Sequence, residues 1–154
     1  MGLSIFVTVI ISLIAVLIAH ILISRRDFSK SKSGFISELE YNKKIVTEYA
    51  KGKSDVEGRL FLNSAFMHFR DNGYMFYLPD DIRNKLDDTY IQIDYLNERI
   101  MNYRTSQDED IKRKIKIGLL MHLFFQIQGG FDWDEIIKDI KGLKYFKILI
   151  SSFK

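Results

Sequence analysis

The chain has 154 residues, of which 28% are charged, with a net charge of +3 and no cysteine. This length allows one modest domain, and the lack of cysteine excludes disulfides, thiolate catalysis and cysteine-based zinc sites. Residues 25–53 carry eight basic and four acidic side chains, residues 54–110 six and twelve, and residues 111–154 nine and four. Because the middle of the chain is acidic, we expect no nucleic-acid polymer among its partners.

The first element is a run of 21 uncharged residues from Leu3 to Ile23. At about 1.5 Å per residue, a helix of this length crosses the roughly 30 Å hydrocarbon core of a bilayer. No basic residue precedes the run, it is longer than the apolar part of a signal peptide, and no Ala-x-Ala-like cleavage site follows it. The pattern therefore predicts an uncleaved transmembrane helix over residues 1–24 rather than a signal peptide.

Basic residues follow the apolar run and fix its expected orientation. Arg25, Arg26, Lys30 and Lys32 lie in a predicted juxtamembrane linker, residues 25–34. Because Lys and Arg resist translocation, we expect a single-pass protein of the cell (inner) membrane with its N-terminus outside and the remainder in the cytoplasm. Anionic lipids attract such residues, so these four are our candidate membrane-surface residues, although we favour ordinary positive-inside flanking over specific lipid recognition.

Residues 35–154 are predicted to form a cytoplasmic helical domain. Apolar residues recur at helical spacing from Phe35 to Tyr49, on a helix that either continues the membrane helix or begins near Ser33. The polar segment 50–58, "AKGKSDVEG", is predicted to be a loop.

The segment "GYMFYLPDD", residues 73–81, is interpreted as a hinge between two helices. Asn63 or Ser64 is predicted to cap a short helix that ends at Gly73. Pro79 then begins the next helix, with two aspartates at the positive end of its dipole. A strand would lack a partner, and a base-stacking platform would need interleaved basic residues. We therefore expect the aromatic residues of this segment to fill the centre of the helical bundle.

The helix after Pro79 has the clearest periodicity in the chain. Its predicted core positions are Ile82, Leu86, Tyr90, Ile93, Leu96, Ile100 and Tyr103. Capping boxes are predicted at Ser106 with Glu109 and at Asp132 with Glu135, each beginning another helix. The expected fold class is all-α, with one N-terminal transmembrane helix and a cytoplasmic antiparallel bundle of about four or five helices. The segment "YFKILIS" near the C-terminus is the one place where a strand competes with a helix.

A resemblance supports this architecture over residues 1–100. One part is the spacing E-x-x-x-N, here Glu38 and Asn42. The second part reads "SA-aromatic, G-Y, LP-x-x-[LI], L, Y, I, LN" and is matched by Ser64, Ala65, Phe66, Gly73, Leu78, Pro79, Ile82, Leu86, Tyr90, Ile93, Leu96 and Asn97. This pattern resembles a prokaryotic, archaeal-type family of small, uncharacterised single-pass membrane proteins with a cytoplasmic helical domain. The resemblance implies a fold and carries no catalytic residues.

The three histidines and one apolar run have competing explanations. His20, close to the predicted membrane interface, is either a proton relay or a neutral interfacial residue, and we favour the latter. His68 and His122 match no metal-ligand spacing, so core histidines are favoured over ligands. The apolar run 117–127 is too short to span a bilayer, and we expect a buried core helix rather than a second membrane pass.

Two lysine-rich clusters form a candidate surface for a partner or an anionic ligand. Their residues are Lys112, Arg113, Lys114, Lys116, Lys141, Lys144 and Lys147. The C-terminal segment 141–154 has either a membrane-binding or partner-binding role or forms the edge of the bundle core.

The sequence contains no phosphate-binding glycine loop, nucleophile elbow or zinc-ligand motif. We therefore expect a non-enzymatic protein without cofactor or metal. Its expected partners are membrane lipids and either another protein or further copies of itself, and its expected role is that of an accessory or regulatory subunit of a larger membrane complex. The alternative is an oligomeric membrane effector that senses a small anionic nucleotide, and a hydrolase built on His68 or His122 is a weaker third hypothesis.

Overall fold

The computed structural model describes residues 2–51, 59–128 and 132–145, with side chains for 7–49, 51, 59–119, 121 and 132–145. The helices are α1 (Gly2–Ala50), α2 (Ser64–Asp71), a 3-10 turn (Tyr74–Tyr77), α3 (Asp80–Thr105), α4 (Glu109–Gln128) and α5 (Trp133–Gly142). Every regular element within the described ranges is helical, which confirms the predicted all-α class for this part of the chain. The segment "YFKILIS" beyond its first residue, Tyr145, and most of the predicted loop 50–58 lie outside the described residues.

The first helix, α1, runs without interruption for 49 residues, a length of about 70 Å. Residues 25–34 belong to it, so the predicted membrane helix continues into the domain and no new helix begins near Ser33. Its N-terminal part is long and apolar enough to cross a membrane, and its described side chains there are exposed, with Val16 at 67%. From Phe28 onward one face of the same helix is buried.

Aromatic contacts give the order in which the chain after α1 packs on it. Phe61 lies beside Tyr49, with ring centroids 6.5 Å apart, and Tyr74 lies beside Phe28 at 5.1 Å. The chain from Phe61 to Tyr74 therefore runs back along α1 toward the predicted membrane segment.

The later helices pack on the same half of α1. The α3 residue Tyr90 reaches Glu38. In α5, Asp134 pairs with Lys43 at 2.6 Å, and Tyr145, just beyond its end, lies 6.0 Å from Phe28 between ring centroids. The helix α5 therefore also runs toward the predicted membrane segment.

The helix α3 buries its predicted face. All seven predicted core positions are buried, and Thr89 joins them. The core side of the helix was therefore readable from its periodicity of three and four residues.

The caps of the last two helices differ from each other. Asp132 accepts hydrogen bonds from the backbone N–H groups of Asp134 and Glu135, so the Asp132 side of the cap predicted for α5 is confirmed. For α4 the prediction is wrong, because the Asp108 carboxylate accepts the N–H groups of residues 110 and 111 at 2.8 and 3.2 Å. Because α4 begins at Glu109, Asp108 occupies the cap position directly before it, whereas Ser106 lies two residues too early to reach these N–H groups.

The hinge at residues 73–81 is confirmed as a connection between helices. Gly73 adopts a left-handed conformation with φ of 74°, and the 3-10 turn follows it. Met75 and Leu78 are buried, whereas Phe76 is 76% exposed. A 3-10 helix repeats every three residues, so Met75 and Leu78 share the core side and Phe76 points away from it. The prediction that the aromatic residues fill the bundle is therefore wrong for Phe76.

Candidate functional site

Glu38 forms a buried polar cluster between α1, α2 and α3. Its carboxylate accepts hydrogen bonds from the backbone N–H groups of Ala65 and Phe66 at 2.8 and 3.0 Å, and from the Tyr90 hydroxyl at 2.8 Å. The side chain of Asn63 makes no cap bond to α2. The cap predicted from Asn63 or Ser64 is therefore wrong, since a carboxylate from α1 satisfies these free N–H groups and the helix dipole instead.

The position of Tyr90 in this cluster shifts the pKa of its hydroxyl. Burial raises the pKa of its hydroxyl far above the usual value of 10.0, and the neighbouring Glu38 carboxylate raises it further. Its ring stacks on Phe66 with centroids 3.9 Å apart. Tyr90 is therefore a permanent hydrogen-bond donor at physiological pH, and it is not available as an acid or base there.

Two asparagine side chains hold the non-helical segment before α2. The Asn42 amide group donates to the Leu62 carbonyl at 2.7 Å and accepts the Leu62 N–H at 2.9 Å. The Asn97 amide makes the same pair of bonds with Phe61, at 3.0 and 2.9 Å. Backbone groups in a partly buried segment without a strand partner need such side-chain partners. Glu38 and Asn42, one helical turn apart, therefore have a structural role in this fold.

The α2–α3 groove is the candidate binding site, with a volume of about 260 Å³. It is lined by Asn63, Phe66, Met67, Arg70, Asp87, Tyr90, Ile91 and Asp94. The stacked rings of Phe66 and Tyr90 are buried, while Ile91 is 64% exposed. The groove is thus apolar at its centre, with charged groups from both helices at its rim.

The predicted histidine sites do not form a metal centre in the part of the chain that the structure describes. His20 and His68 are exposed, and the His122 side chain lies outside the described residues. Among the described residues, no group of three or more His, Asp or Glu side chains is placed to hold a metal ion. The expectation that His68 is a core histidine is wrong, because it lies on the solvent side of α2, where its ring contacts the Asn72 amide.

The predicted membrane-surface residues divide into two groups. Arg25, Arg26 and Lys30 are exposed on α1. Lys32 instead donates from Nζ to the carbonyls of Lys141 and Leu143 at 3.2 and 3.0 Å. These carbonyls end α5, where a helix has partial negative charge, so Lys32 caps that helix.

The two lysine clusters lie in different parts of the fold, and one lysine of each pairs with a carboxylate. On α4, Lys112 pairs with Glu109 at 2.9 Å. On α5, Lys141 pairs with Glu40 at 2.9 Å. The other described members are the exposed residues Arg113, Lys114, Lys116 and Lys144. Lys147 lies outside the described residues, so the structure describes no single surface that contains the whole set.

The apolar run 117–127 is described only at its beginning. Leu119 is buried, whereas Ile117 and Met121 are 52% and 56% exposed. The described part of this run therefore has one core side and one solvent side. The side chains of residues 122–127 lie outside the described residues.

Comparison with protein families, with curated proteins and with solved structures found no match. The resemblance to archaeal-type membrane proteins therefore stays a prediction.

Sequence reasoning missed the α2–α3 groove. It also missed the two hydrogen bonds by which the Asn97 side chain holds the backbone of Phe61. The groove depends on how two helices meet, which periodicity does not encode. Ile91 was a usable signal, because it is a large aliphatic residue on the polar side of an otherwise regular amphipathic helix.

Proposed function

We propose that this chain is a non-enzymatic, single-pass membrane protein whose cytoplasmic domain binds a protein partner through the α2–α3 groove. In this proposal the N-terminal half of α1 crosses the cell (inner) membrane with the N-terminus outside. The remaining helices form an antiparallel bundle around its second half. The protein then acts as an accessory or regulatory subunit of a larger membrane complex.

The groove is the observation that carries the proposal. Large aliphatic side chains exposed beside a concave apolar site are typical of binding surfaces. Ile91 is 64% exposed at the edge of this site, and Met67 is exposed on the opposite wall. Because Phe66 and Tyr90 are fixed by the core and by Glu38, the floor of the groove is already formed before a partner binds.

The charges around the groove indicate the chemistry of the partner. Asp87 and Asp94 lie at its α3 edge and Arg70 lies at its α2 edge, where Arg70 is 3.6 Å from Asp71. Residues 54–110 carry six basic and twelve acidic side chains in all. A helical segment with one or two large apolar anchors and flanking Lys or Arg residues has the complementary shape and charge.

A charge placed at the groove edge tests the proposal. The Ile91→Lys variant and its parent are purified from native membranes in mild detergent, and the co-purifying proteins are quantified. Because Ile91 is exposed, the substitution leaves the fold intact, while a buried interface loses on the order of 2 kcal/mol or about 30-fold in affinity. The matched control is Met101→Lys, which changes an exposed apolar residue near the C-terminal end of α3, outside the groove.

Loss of a stoichiometric partner with Ile91→Lys, and its retention with Met101→Lys, supports the proposal. Equal recovery from both variants, or isolation of the parent protein without any stoichiometric partner, contradicts it. Thermal unfolding of each variant in the same detergent checks that the domain is folded.

A further inference from the structure

We propose that the 3-10 turn Tyr74–Tyr77 is a second membrane contact, in which Phe76 inserts into the headgroup layer of the bilayer that α1 crosses. This inference rests on the membrane-spanning role proposed for α1, and it adds a separate, sequence-distant segment to the membrane interface.

The depth of the turn along α1 supports this contact. The Tyr74 ring lies 5.1 Å from the Phe28 ring, and Phe28 is five residues beyond Ile23, the last residue of the apolar run. Five residues correspond to about 7.5 Å along a helix. The headgroup layers add about 10–15 Å to the roughly 30 Å hydrocarbon core, which is about 5–7.5 Å on each side. The turn therefore lies at the outer boundary of the headgroup layer when the run Leu3–Ile23 fills the hydrocarbon core.

The exposure of the Phe76 side chain fits the same contact. Among the described residues it is the most exposed large apolar side chain, at 76%. Met75 and Leu78 are buried on the core side of the turn, so repacking of Phe76 inward is blocked by residues that already fill that space. An aromatic ring held at this depth is typical of interfacial anchoring.

The charges near the turn are compatible with a bilayer surface. The Arg83 guanidinium lies 5.8 Å from the centre of the Phe76 ring and pairs with Asp80, which neutralises one of the two aspartates at the start of α3. Arg25 and Arg26 lie on α1 between the uncharged run and Phe28. Basic residues at this level favour an anionic leaflet by about 1 kcal/mol each.

Tryptophan fluorescence in vesicles tests the contact directly. The full chain, with Trp133→Phe to remove its single tryptophan, is reconstituted in vesicles of phosphatidylcholine and phosphatidylglycerol. Quenching by lipids brominated on the upper part of their acyl chains is then measured for three separate variants. They are Phe76→Trp at the turn, Val16→Trp in the proposed span and Met101→Trp near the far end of α3.

We expect quenching of about twofold or more for Val16→Trp and Phe76→Trp, and little for Met101→Trp, because only the first two lie at membrane depth. If Val16→Trp is quenched and Phe76→Trp is not, this inference is overturned, whereas the proposed membrane span stands. Equal quenching of Phe76→Trp and Met101→Trp also overturns it. Absence of quenching for Val16→Trp overturns the membrane-spanning role itself and, with it, this inference.

Discussion

Glu38 accepts three hydrogen bonds from two other helices, α2 and α3, while only 3% of it is exposed. Replacing it by alanine leaves two backbone N–H groups and the Tyr90 hydroxyl buried without an acceptor, and it also creates a cavity. We expect Glu38→Ala to lower the free energy of unfolding by about 3–5 kcal/mol. Denaturant unfolding of the purified protein in detergent, followed by circular dichroism, measures this change.

Asn63→Ala is the matched control for this prediction, because Asn63 occupies the cap position of α2 without capping it. Its amide contacts the exposed Asp94 carboxylate at 2.7 Å, so we expect a loss below about 1 kcal/mol. If Asn63→Ala cost as much as Glu38→Ala, the assignment of the cap to Glu38 would be wrong.

Tyr90 gives the cluster a measurable pH dependence. Its pKa is raised in the folded protein by burial and by Glu38, so the unfolded chain loses this proton at a lower pH than the folded chain. The stability from this group is fully present below about pH 10 and falls above it by about 1.4 kcal/mol per pH unit. At pH 7 we expect Tyr90→Phe to cost about 2 kcal/mol, the value of a hydrogen bond to a charged acceptor.

The difference between the parent protein and Tyr90→Phe should therefore shrink between pH 10 and pH 11. Unfolding midpoints at pH 7, 9, 10 and 11 measure it, and the comparison cancels the contribution of Tyr74, whose pKa is also raised by burial and by Asp27. A difference that stays constant to pH 11 would contradict the burial of the Tyr90 hydroxyl.

For single residues, the sequence predicted many of the buried apolar side chains but not the hydrogen-bond partners of the buried polar ones. The spacing of Glu38 and Asn42 puts both on one side of a helix. Their partners, residues 65 and 62, are 27 and 20 positions away, and pairing at that distance depends on how the helices and the segment before α2 pack together. The same limit applies to Asn97, whose partner Phe61 lies 36 residues earlier.

Gly73 and Gly34 differ in whether their backbone conformation accepts a side chain. Gly73 has a φ of 74°, a conformation that costs a residue with a side chain about 1–2 kcal/mol. Gly34 lies within α1, and an added Cβ there meets only the Ala65 Cβ at 3.9 Å, an ordinary contact. We expect Gly73→Ala to destabilise the domain by about 1–2 kcal/mol, and Gly34→Ala to stabilise it by about 0.5–1 kcal/mol, because alanine has the higher helix propensity.

Thermal unfolding of the two variants checks these opposite signs, each variant serving as the control for the other. A shift of about 4 °C or more per kcal/mol is expected for a domain of this size. If both substitutions lowered the midpoint, the helical packing of α1 at Gly34 would be tighter than the distance to Ala65 indicates.

The elements themselves were predicted with uneven success for a physical reason. The α3 stripe succeeded because 26 residues average out single exceptions such as Ile91. A cap depends on one or two side chains. The cap predictions failed where a different side chain was the better-placed acceptor, Asp108 for α4 and Glu38 for α2. The exposed position of Phe76 depends on the three-residue repeat of a 3-10 turn, which the pattern of four aromatic and apolar residues did not reveal.

At the scale of the whole molecule, the continuity of α1 joins the proposed membrane span to the domain without a break. Phe28 is buried only five residues beyond Ile23, where it contacts Tyr74 and Tyr145. A helix with packed side chains at this junction transmits the tilt and rotation of the span to the domain, which a flexible linker does not. In the proposed membrane arrangement, the α2–α3 groove is therefore presented at a fixed height and angle relative to the bilayer.

The topology of this arrangement can be tested with single cysteines, because the chain has none of its own. Ser4→Cys lies near the predicted outer end of α1, and Met101→Cys is an exposed position on α3. In intact cells we expect a membrane-impermeant maleimide to label Ser4→Cys, and to label Met101→Cys only after the membrane is permeabilised, because the four basic residues after Ile23 retain that side in the cytoplasm. The reverse pattern would invert the proposed orientation. Labelling of both positions in intact cells would contradict cytoplasmic placement of the domain, and the groove would then have to find its partner on the other side of the membrane.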